Sequence, residues 1–530
     1  MRHAKRCENV PVGLYLVDCI VRKARGLASA VQKKTLLLPH EFLGALYRRD
    51  AERFHRVLGT PQAANDFWWE IRRHNPIWFQ EHVHHDAIVA DPSTWLPVII
   101  FGDDAKLGKN RALLSVHFYS PIGIESRTEF CKIPSFLRGS VDAIPGVTDA
   151  NLWECANWSW RLLGENEFPT TGFYTESFSG WRRRMAGKPI LGAFRAAIIR
   201  LTGDWMWTTD TLNLEQSYKA ALGAPICHRC GATNCGAVNN FTDFRPDAPH
   251  WSVRRSNAAY MASAAARCSP CSGFPGFHIQ AVWPELMHGG PLGYNLTVTG
   301  SVLRELGDEA VWVRRAESGT WMEKLQIQLS AATDSFKEWQ TANKDTCSQP
   351  KFTVRKLSLT RLQQMPTLKA KAHNSMVVLR WLEAETRRVL ARHPGNTYFR
   401  DRATMVWGLC EVYRICKRAP QWMSEEQLEE LKYARAATLT CFVKLSKMAA
   451  EDGSTLYPRR PKMHVFDECI QIALETTENP TSSWTFQDED NMRVMVGIAE
   501  SCHGLTMESS SLEKWLVQFF ADVDTTEFVS

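Results

Sequence analysis

The chain has 530 residues, 44% of them hydrophobic and 23% charged, with a net charge of +6 from 63 Lys+Arg against 57 Asp+Glu. At ~150 residues per domain, this length predicts two to four units, or one enzyme core carrying large insertions. The composition excludes a mostly disordered chain, a collagen-like chain and a coiled-coil rod. The small charge excess permits nucleic-acid binding without requiring it.

In chain order, the basic Met1–Arg6 and the apolar Val10–Val21 imitate a signal peptide. Asp18 interrupts that stretch, and Arg22, Lys23 and Arg25 follow it before any cleavage-like site. The pattern predicts a soluble intracellular protein. No run approaches the ~18 apolar residues of a membrane span, and the sequons at Asn157, Asn240 and Asn295 read as chance matches. Residues 1–92 place apolar and charged groups at helical spacing and read as an N-terminal helical region. His82, His84 and His85 lie within it, with no matching metal ligand in view.

The period then changes. Trp95–Phe101 is a short apolar run ending in Gly102-Asp103-Asp104, which reads as a buried strand stopping at a turn. Ala112–Tyr119 is a second strand and Thr128–Ile133 a third; helices are expected around Asp149–Leu163 and Pro189–Ile199. Ala196–Gly203 is a further apolar stretch, again closing on Gly-Asp at Asp204. Residues 224–290 are rich in Cys, Pro, Gly and His and poor in periodicity. The pattern is mainly helical from 294 to 450. A helix over Lys462–Leu474, a short strand at Ser483–Phe486 and a helix from Glu489 to Cys502 complete the chain.

The fifteen cysteines are an odd, mostly scattered set, unlike a secreted disulfide framework. Two CxxC pairs stand out, Cys227/Cys230 and Cys268/Cys271. Each spacing lets one turn present two thiolates to a tetrahedral ion, so the four together predict a structural Zn²⁺ site, with Cys235 and His228 as substitutes.

Three acids carry a second signal. Asp103 and Asp204 each follow an apolar run through a glycine, and Glu489 opens a late helix. Carboxylates at strand ends and a nearby helix start can converge outside the edge of an α/β sheet. Such a set can hold two Mg²⁺ (or Mn²⁺) ions for an in-line phosphoryl transfer. The structural alternatives are a turn at each Gly-Asp and a helix cap at the glutamate.

The motifs FGDD (101–104), LTGDW (201–205), FTDFRPDAP (241–249), ELMH (285–288), PKMHVF (461–466) and WTFQDED (484–490) together resemble a DDE/D-type transposase with the RNase H-like fold. The resemblance is closest to transposase-like proteins of protist genomes and spans about residues 95 to 525. It implies an α/β fold whose RNase H-like mixed-sheet core is interrupted by a zinc-bearing loop region and a mostly helical insertion. The implied boundaries are 1–92 for the N-terminal helical region, 93–223 for the first part of the core and 224–290 for the zinc region. The helical insertion would take 291–455 and the last part of the core 456–530.

Carried over by position, Asp103, Asp204 and Glu489 are the implied catalytic acids and metal ligands, with Asp104, Asp488 and Asp490 as adjacent alternatives. The implied chemistry is metal-dependent attack of water, then of a DNA 3′-hydroxyl, on a phosphodiester. DNA, a nuclear location and a homo-oligomer are the implied partners and setting. The basic stretch Arg182, Arg183, Arg184 and Lys188, with Lys462 further on, supplies candidate phosphate contacts; its other reading is a solvated face. His464 beside Lys462 is read either as a contact to phosphate or the metal shell, or as a structural histidine. Related transposases carry a Cys or Asp two residues before a His in the insertion. Here Glu285 stands ahead of His288, a departure that leaves His288 open as a zinc ligand. It also keeps a second class in view, a catalytically inactive transposon-derived protein that binds nucleic acid or protein and keeps its structural zinc.

Overall fold

The computed structural model describes residues 10–521 apart from 24–28, 110, 126–127, 145, 217–219 and 237. The chain divides into two compact units. The first comprises Met1–Glu215, Arg255–Trp283 and Thr485–Ser530; the second comprises Gln216–Arg254 and Pro284–Trp484. The strands are β1 (Tyr15–Arg22), β2 (Ser29–Leu36), β3 (Trp95–Leu107), β4 (Arg111–Tyr119), β5 (Ile133–Gly139) and β6 (Arg195–Gly203). The helices used below are α1 (Pro39–Arg49), α2 (Thr148–Glu165), α3 (Trp205–Thr211), α4 (Asn295–Asp308), α5 (Trp321–Asn343), α6 (Ala372–Arg392), α7 (Thr397–Arg418), α8 (Glu425–Glu451), α9 (Lys462–Thr476), α10 (Phe486–Glu500) and α11 (Met507–Ala521).

The first unit is a mixed α/β layer structure on one six-stranded sheet of order β1-β2-β5-β4-β3-β6. β5, β4 and β3 form an antiparallel meander, and β6 returns parallel to β3. A parallel neighbour requires a crossover, and the connection from β5 to β6, which includes α2, provides it. On the far side of β6 a single parallel bridge joins Leu201 to Val282, continued by the Trp283 N–H to the Leu201 carbonyl at 3.0 Å. β3 is buried from Trp95 to Gly102, the length of its apolar run, and opens to solvent from Asp103 to Lys106.

Several sequence expectations are corrected here. The segment read as uniformly helical over 1–92 begins with a β-hairpin, because Tyr15, Val17, Cys19 and Val21 alternate inward while Leu16, Ile20 and Arg22 face out. A two-residue period won over a superficially helical distribution of charge. Thr128–Cys131 is a helical turn and the third meander strand starts only at Ile133. Pro189–Ile199 is not a helix; its second half is the start of β6. No strand forms at Ser483–Phe486, where a 3₁₀ turn at Pro480–Ser483 leads into α10. Thr148–Glu165 is helical as expected.

The second unit is mainly helical. α4 through α9 share a core that includes Tyr294, Trp381, Leu409, Phe442 and Phe466. α5 and α8 start with capping boxes, at Thr320/Glu323 and Ser424/Gln427. A smaller cluster of Ile226, Cys227, Cys230, Phe241 and Trp251 organises the loops of 216–254. The dividing line thus runs through the Cys-rich stretch: Cys227 and Cys230 belong to the second unit, whereas Cys268 and Cys271 belong to the first. Among the described residues no helix is long and apolar enough to cross a membrane.

Candidate functional site

In the first unit, register brings two of the predicted acids together. Gly102 of β3 lies opposite Gly203 of β6, so Asp103 and Asp204 follow side by side. β6 ends there, whereas β3, expected from the sequence to stop at a turn, runs on through Asp103 and Asp104 to Leu107 because it keeps pairing with β4. Both glycines are required by a shared neighbour. A Cβ at either position would meet the Trp207 indole, at 2.0 Å from Gly102 and 2.3 Å from Gly203. The indole of α3 therefore seats on two side-chain-free positions and fixes the two strands side by side at that point.

The pleat separates Asp103 from Asp104. Phe101 stacks on His117 of β4 with ring centroids 4.8 Å apart, and His117 bonds to Asp488 of α10, so α10 covers the Phe101 face. Side chains alternate along a strand, which puts Asp103 on that face and Asp104 on the other. Asp104 meets Arg138, Asp149, Asp204 and Asp210; crowding by protein, helped by the three acids and opposed by Arg138, holds its carboxyl above the usual range. Asp103 and Glu489 are both half-buried, while Asp104 and Asp490 are exposed.

Asp488, the neighbour of Glu489, has a different post. It is fully buried, with Oδ1 2.8 Å from His117 Nε2 and 2.9 Å from Lys132 Nζ. Burial pushes its carboxyl up, but Lys132 and His117 outweigh that and leave it below the ordinary value. Burial lowers the His117 ring below its ordinary value, against the opposing pull of Asp488. This lock fixes the rotation of α10, so that Glu489, one residue on, is turned to a different face of the helix. Asp204 carries a local duty as well: its Oδ1 accepts the Trp207 N–H at 2.6 Å and caps α3.

In the second unit, four ligand atoms gather in a buried cluster: the Cys227 and Cys230 sulfurs, a His464 nitrogen and a Glu468 oxygen, all within 4.8 Å of one another. Cys230 Sγ lies 3.3 Å from His464 Nε2; Glu468 Oε2 lies 3.7 Å from the same nitrogen and 4.0 Å from Cys227 Sγ. A tetrahedral ion with bonds of ~2.0–2.3 Å holds its ligands roughly 3.3–3.8 Å apart, so the donor set fits a metal ion. His464 and Glu468 are four residues apart and share one face of α9.

The surroundings balance the charge. Glu468 Oε1 accepts from Arg229 Nε at 3.1 Å and from Arg254 NH1 at 2.9 Å, which orients Oε2 toward the thiolates. Burial pushes the Cys227 thiol up, but hydrogen bonding to Cys230 and the His464 ring outweighs it and holds Cys227 well below the usual thiol value. Cys230 is raised by burial and by Cys227. Trp251 stacks on the His464 ring at 5.4 Å. His250, with both ring nitrogens buried and unpartnered, has its ring centroid 5.4 Å from that of His464.

The zinc set expected from the two CxxC pairs is therefore divided. Cys227 and Cys230 stand in the cluster. Cys271 is packed in the hydrophobic core of the first unit and Cys268 is exposed there. Cys235 is exposed, on a left-handed backbone with φ 56°. His288 Nδ1 lies 2.6 Å from Glu285, whose carboxylate caps the turn at Leu286–Gly289. His82 packs among Trp68, Trp78 and His84.

Of the predicted phosphate contacts, Arg182 forms a two-pronged bond to buried Glu41 of α1, at 2.6 and 2.9 Å. Arg183, Arg184 and Lys188 are exposed, and Lys462 is half-buried with Nζ 3.5 Å from the Leu292 carbonyl. Glu468, Arg229, Arg254, His117 and Lys132 were not singled out from the sequence. The signal for Glu468 was present, as the four-residue step from His464 on a helix. No family model matches the chain, and no curated protein matches it.

Proposed function

We propose that the first unit is an RNase H-like polynucleotidyl transferase of the DDE/D transposase type, cleaving and joining DNA phosphodiesters at the edge formed by Asp103, Asp204 and Glu489. The observation that carries the reading is the register Gly102↔Gly203, which sets two Gly-Asp pairs side by side on neighbouring strands beneath a shared tryptophan. Three further features support it. The antiparallel meander β5-β4-β3 with β6 parallel to β3 gives the mixed α/β sheet that this reading needs. α10 packs on β3, and Glu489 lies in its first turn. The Asp488 lock fixes that helix from below.

The donors are hard carboxylate oxygens, which suit Mg²⁺ or Mn²⁺. Bound there, divalent ions supply charge neutralisation at the scissile phosphate and a more acidic attacking hydroxyl. The chain's own part is positioning: β3 and β6 hold two carboxylates at a fixed spacing, and the half-buried edge excludes part of the bulk water. Zn²⁺ at Cys227, Cys230, His464 and Glu468 would be structural, because four protein ligands leave no open position. DNA as substrate carries with it a nuclear site of action and assembly of several copies on paired DNA ends.

A second reading has its own observation. The cap that Asp204 gives α3 is a sufficient structural reason for that acid, as expected of an inactive transposon-derived binding protein. The test is a Mg²⁺- or Mn²⁺-dependent cleavage assay on end-containing DNA, comparing the parent with Asp103→Asn, Asp204→Asn and Glu489→Gln. Cleavage by the parent and its loss in all three supports the transferase. Equal cleavage by parent and variants overturns the site, and a parent that cleaves no DNA favours the binding protein.

A further inference from the structure

We propose that a basic cleft in the first unit, opened where β2 parts from β5, holds the sugar–phosphate backbone of a nucleic acid beside the acidic edge. The inference rests on the transferase reading for the identity of the polymer, and on the following geometry for the site itself.

β2 pairs with β1 along its whole length, yet with β5 only at Leu36↔Phe136. The strand therefore leaves the sheet, and the turn before α11 closes one side of the gap. The result is a cleft of about 640 Å³. Its walls carry Arg22, Lys33, Lys34 and Arg111 against two acids, Asp142 and Glu508.

Those two acids are already engaged. Lys34 Nζ bonds to Asp142 Oδ2 at 2.9 Å and to Glu508 Oε1 at 3.1 Å, and the same Glu508 oxygen accepts the Gly139 N–H at 2.8 Å. Lys34 is buried, so this triad is part of the wall. Arg22, Lys33 and Arg111 are exposed, and among the described residues none of them forms an ion pair with a carboxylate. Thr35, 8% exposed, also lines the cleft with a hydroxyl that has no hydrogen-bond partner. Three uncompensated cations around a buried hydroxyl form a recognition set for a phosphate oxygen.

Position selects a polymer over a free anion. Leu107 and Arg111 close the β3–β4 hairpin, and Asp103 lies four residues back along β3. At ~3.3 Å per residue, that is roughly 13 Å, and both lie at the end of the sheet where β6 delivers Asp204. A strand held in the cleft thus runs within a few nucleotides of the carboxylates.

The experiment is fluorescence anisotropy with a labelled ~30-bp duplex without added Mg²⁺ or Mn²⁺, at NaCl from ~50 to ~200 mM, with calorimetry of inorganic phosphate as a second arm. The variants are Arg22→Ala/Lys33→Ala/Arg111→Ala and the single Arg22→Glu, which changes one exposed side chain if the triple variant unfolds. Arg183→Ala/Arg184→Ala and Asp103→Asn are comparisons. The expected result is a 10- to 100-fold weaker Kd for the triple variant. The salt slope should fall by about 2–3, near 0.9 for each phosphate left without its cation. Arg22→Glu should weaken binding in the same direction.

Unchanged Kd and slope in both cleft variants overturn the proposal, as does a parent that binds no DNA. It is also overturned if the cleft variants abolish phosphate binding but leave duplex binding untouched, because the cleft then takes a free anion. A weakened triple variant alongside a cleaving Asp103→Asn keeps the cleft and removes the transferase. An inactive Asp103→Asn alongside an unaffected triple variant does the reverse.

Discussion

The acidic edge of the first unit and the thiolate cluster of the second both gather metal-ligand side chains from distant points in the chain, by opposite means. At the edge, strand register sets the spacing, and Asp103 and Asp204 stay partly open to water. In the cluster, a loop turn supplies two sulfurs and a single helix face supplies the nitrogen and oxygen. All four residues are buried, and two guanidiniums balance the carboxylate. An open oxygen set suits ions that exchange water and contact substrate, whereas a closed sulfur-bearing set suits an ion that holds the fold together. Disturbing the first should therefore change turnover, and disturbing the second should change stability.

The largest expected effect is on the cluster. Cys230→Ser, or treatment with a strong chelator, should cost one equivalent of any metal ion bound at the cluster and destabilise the second unit by several kcal/mol, since binding energy at such a site is folding energy. Metal analysis by mass spectrometry together with thermal melts reads both, and a variant that melts with the parent after losing its ion would break the contrast. At the edge, Asp103→Asn and Asp204→Asn should lower divalent-dependent cleavage on the order of 10³-fold while leaving the melt nearly unchanged, because asparagine keeps the cap on α3. A large drop in melting temperature with normal cleavage would invert the two roles.

How much of this was legible in the sequence follows from the range of the interactions. The Cys227/Cys230 pair is local, and so is the buried apolar run of β3, and each was readable from spacing alone; the turn expected at Gly102-Asp103-Asp104 was not formed, because pairing with β4 carries the strand on to Leu107. The pairing of Cys227 and Cys230 with Cys268 and Cys271 did not hold as a single cluster. Like spacing suggests a common ion, but the partners His464 and Glu468 arrive on a helix more than 230 positions later through tertiary packing that spacing does not encode. Asp103 and Asp204 were paired from the likeness of their Gly-Asp endings, and that likeness has a physical root in the one indole that both glycines accommodate. Asp488 and Glu489 were indistinguishable in the sequence. What separates them is a cross-sheet partner, His117, whose inward place on β4 depends on register. The N-terminal hairpin was missed because Lys33, Lys34 and the neighbouring arginines masked a two-residue alternation.

Between the extremes lies the lock beneath the edge. Asp488→Ala strips the charge from a fully buried triad and leaves Lys132 unpaired, so the first unit should lose about 3–5 kcal/mol; denaturant titration reads it. A smaller effect comes from pH. Burial lowers His40 to about 3 and His82 to about 4, so both rings are neutral in the fold at pH values where the unfolded chain takes up a proton. Their contribution is complete above the unfolded value near 6.5 and is lost as pH falls from there toward the folded values, at about 1.4 kcal/mol per pH unit for each ring. The first unit should therefore lose about 2 kcal/mol per ring between pH 6.5 and 5, and His40→Gln should flatten that slope by one proton. A stability curve with no slope in this window would show that the rings are hydrated in solution.

The smallest expected effect decides between the two roles of Asp204. Its Oδ1 caps α3, and removal of an N-cap typically costs about 1 kcal/mol. Asp204→Ala should therefore be about 1 kcal/mol less stable than Asp204→Asn, with the two equally inactive if the carboxylate acts on substrate through bound ions. If cleavage instead follows stability, falling in Asp204→Ala and surviving in Asp204→Asn, the residue acts only by holding α3 and Trp207 in place. The contrast between an edge that works and a cluster that holds would then dissolve, because both would be scaffolding.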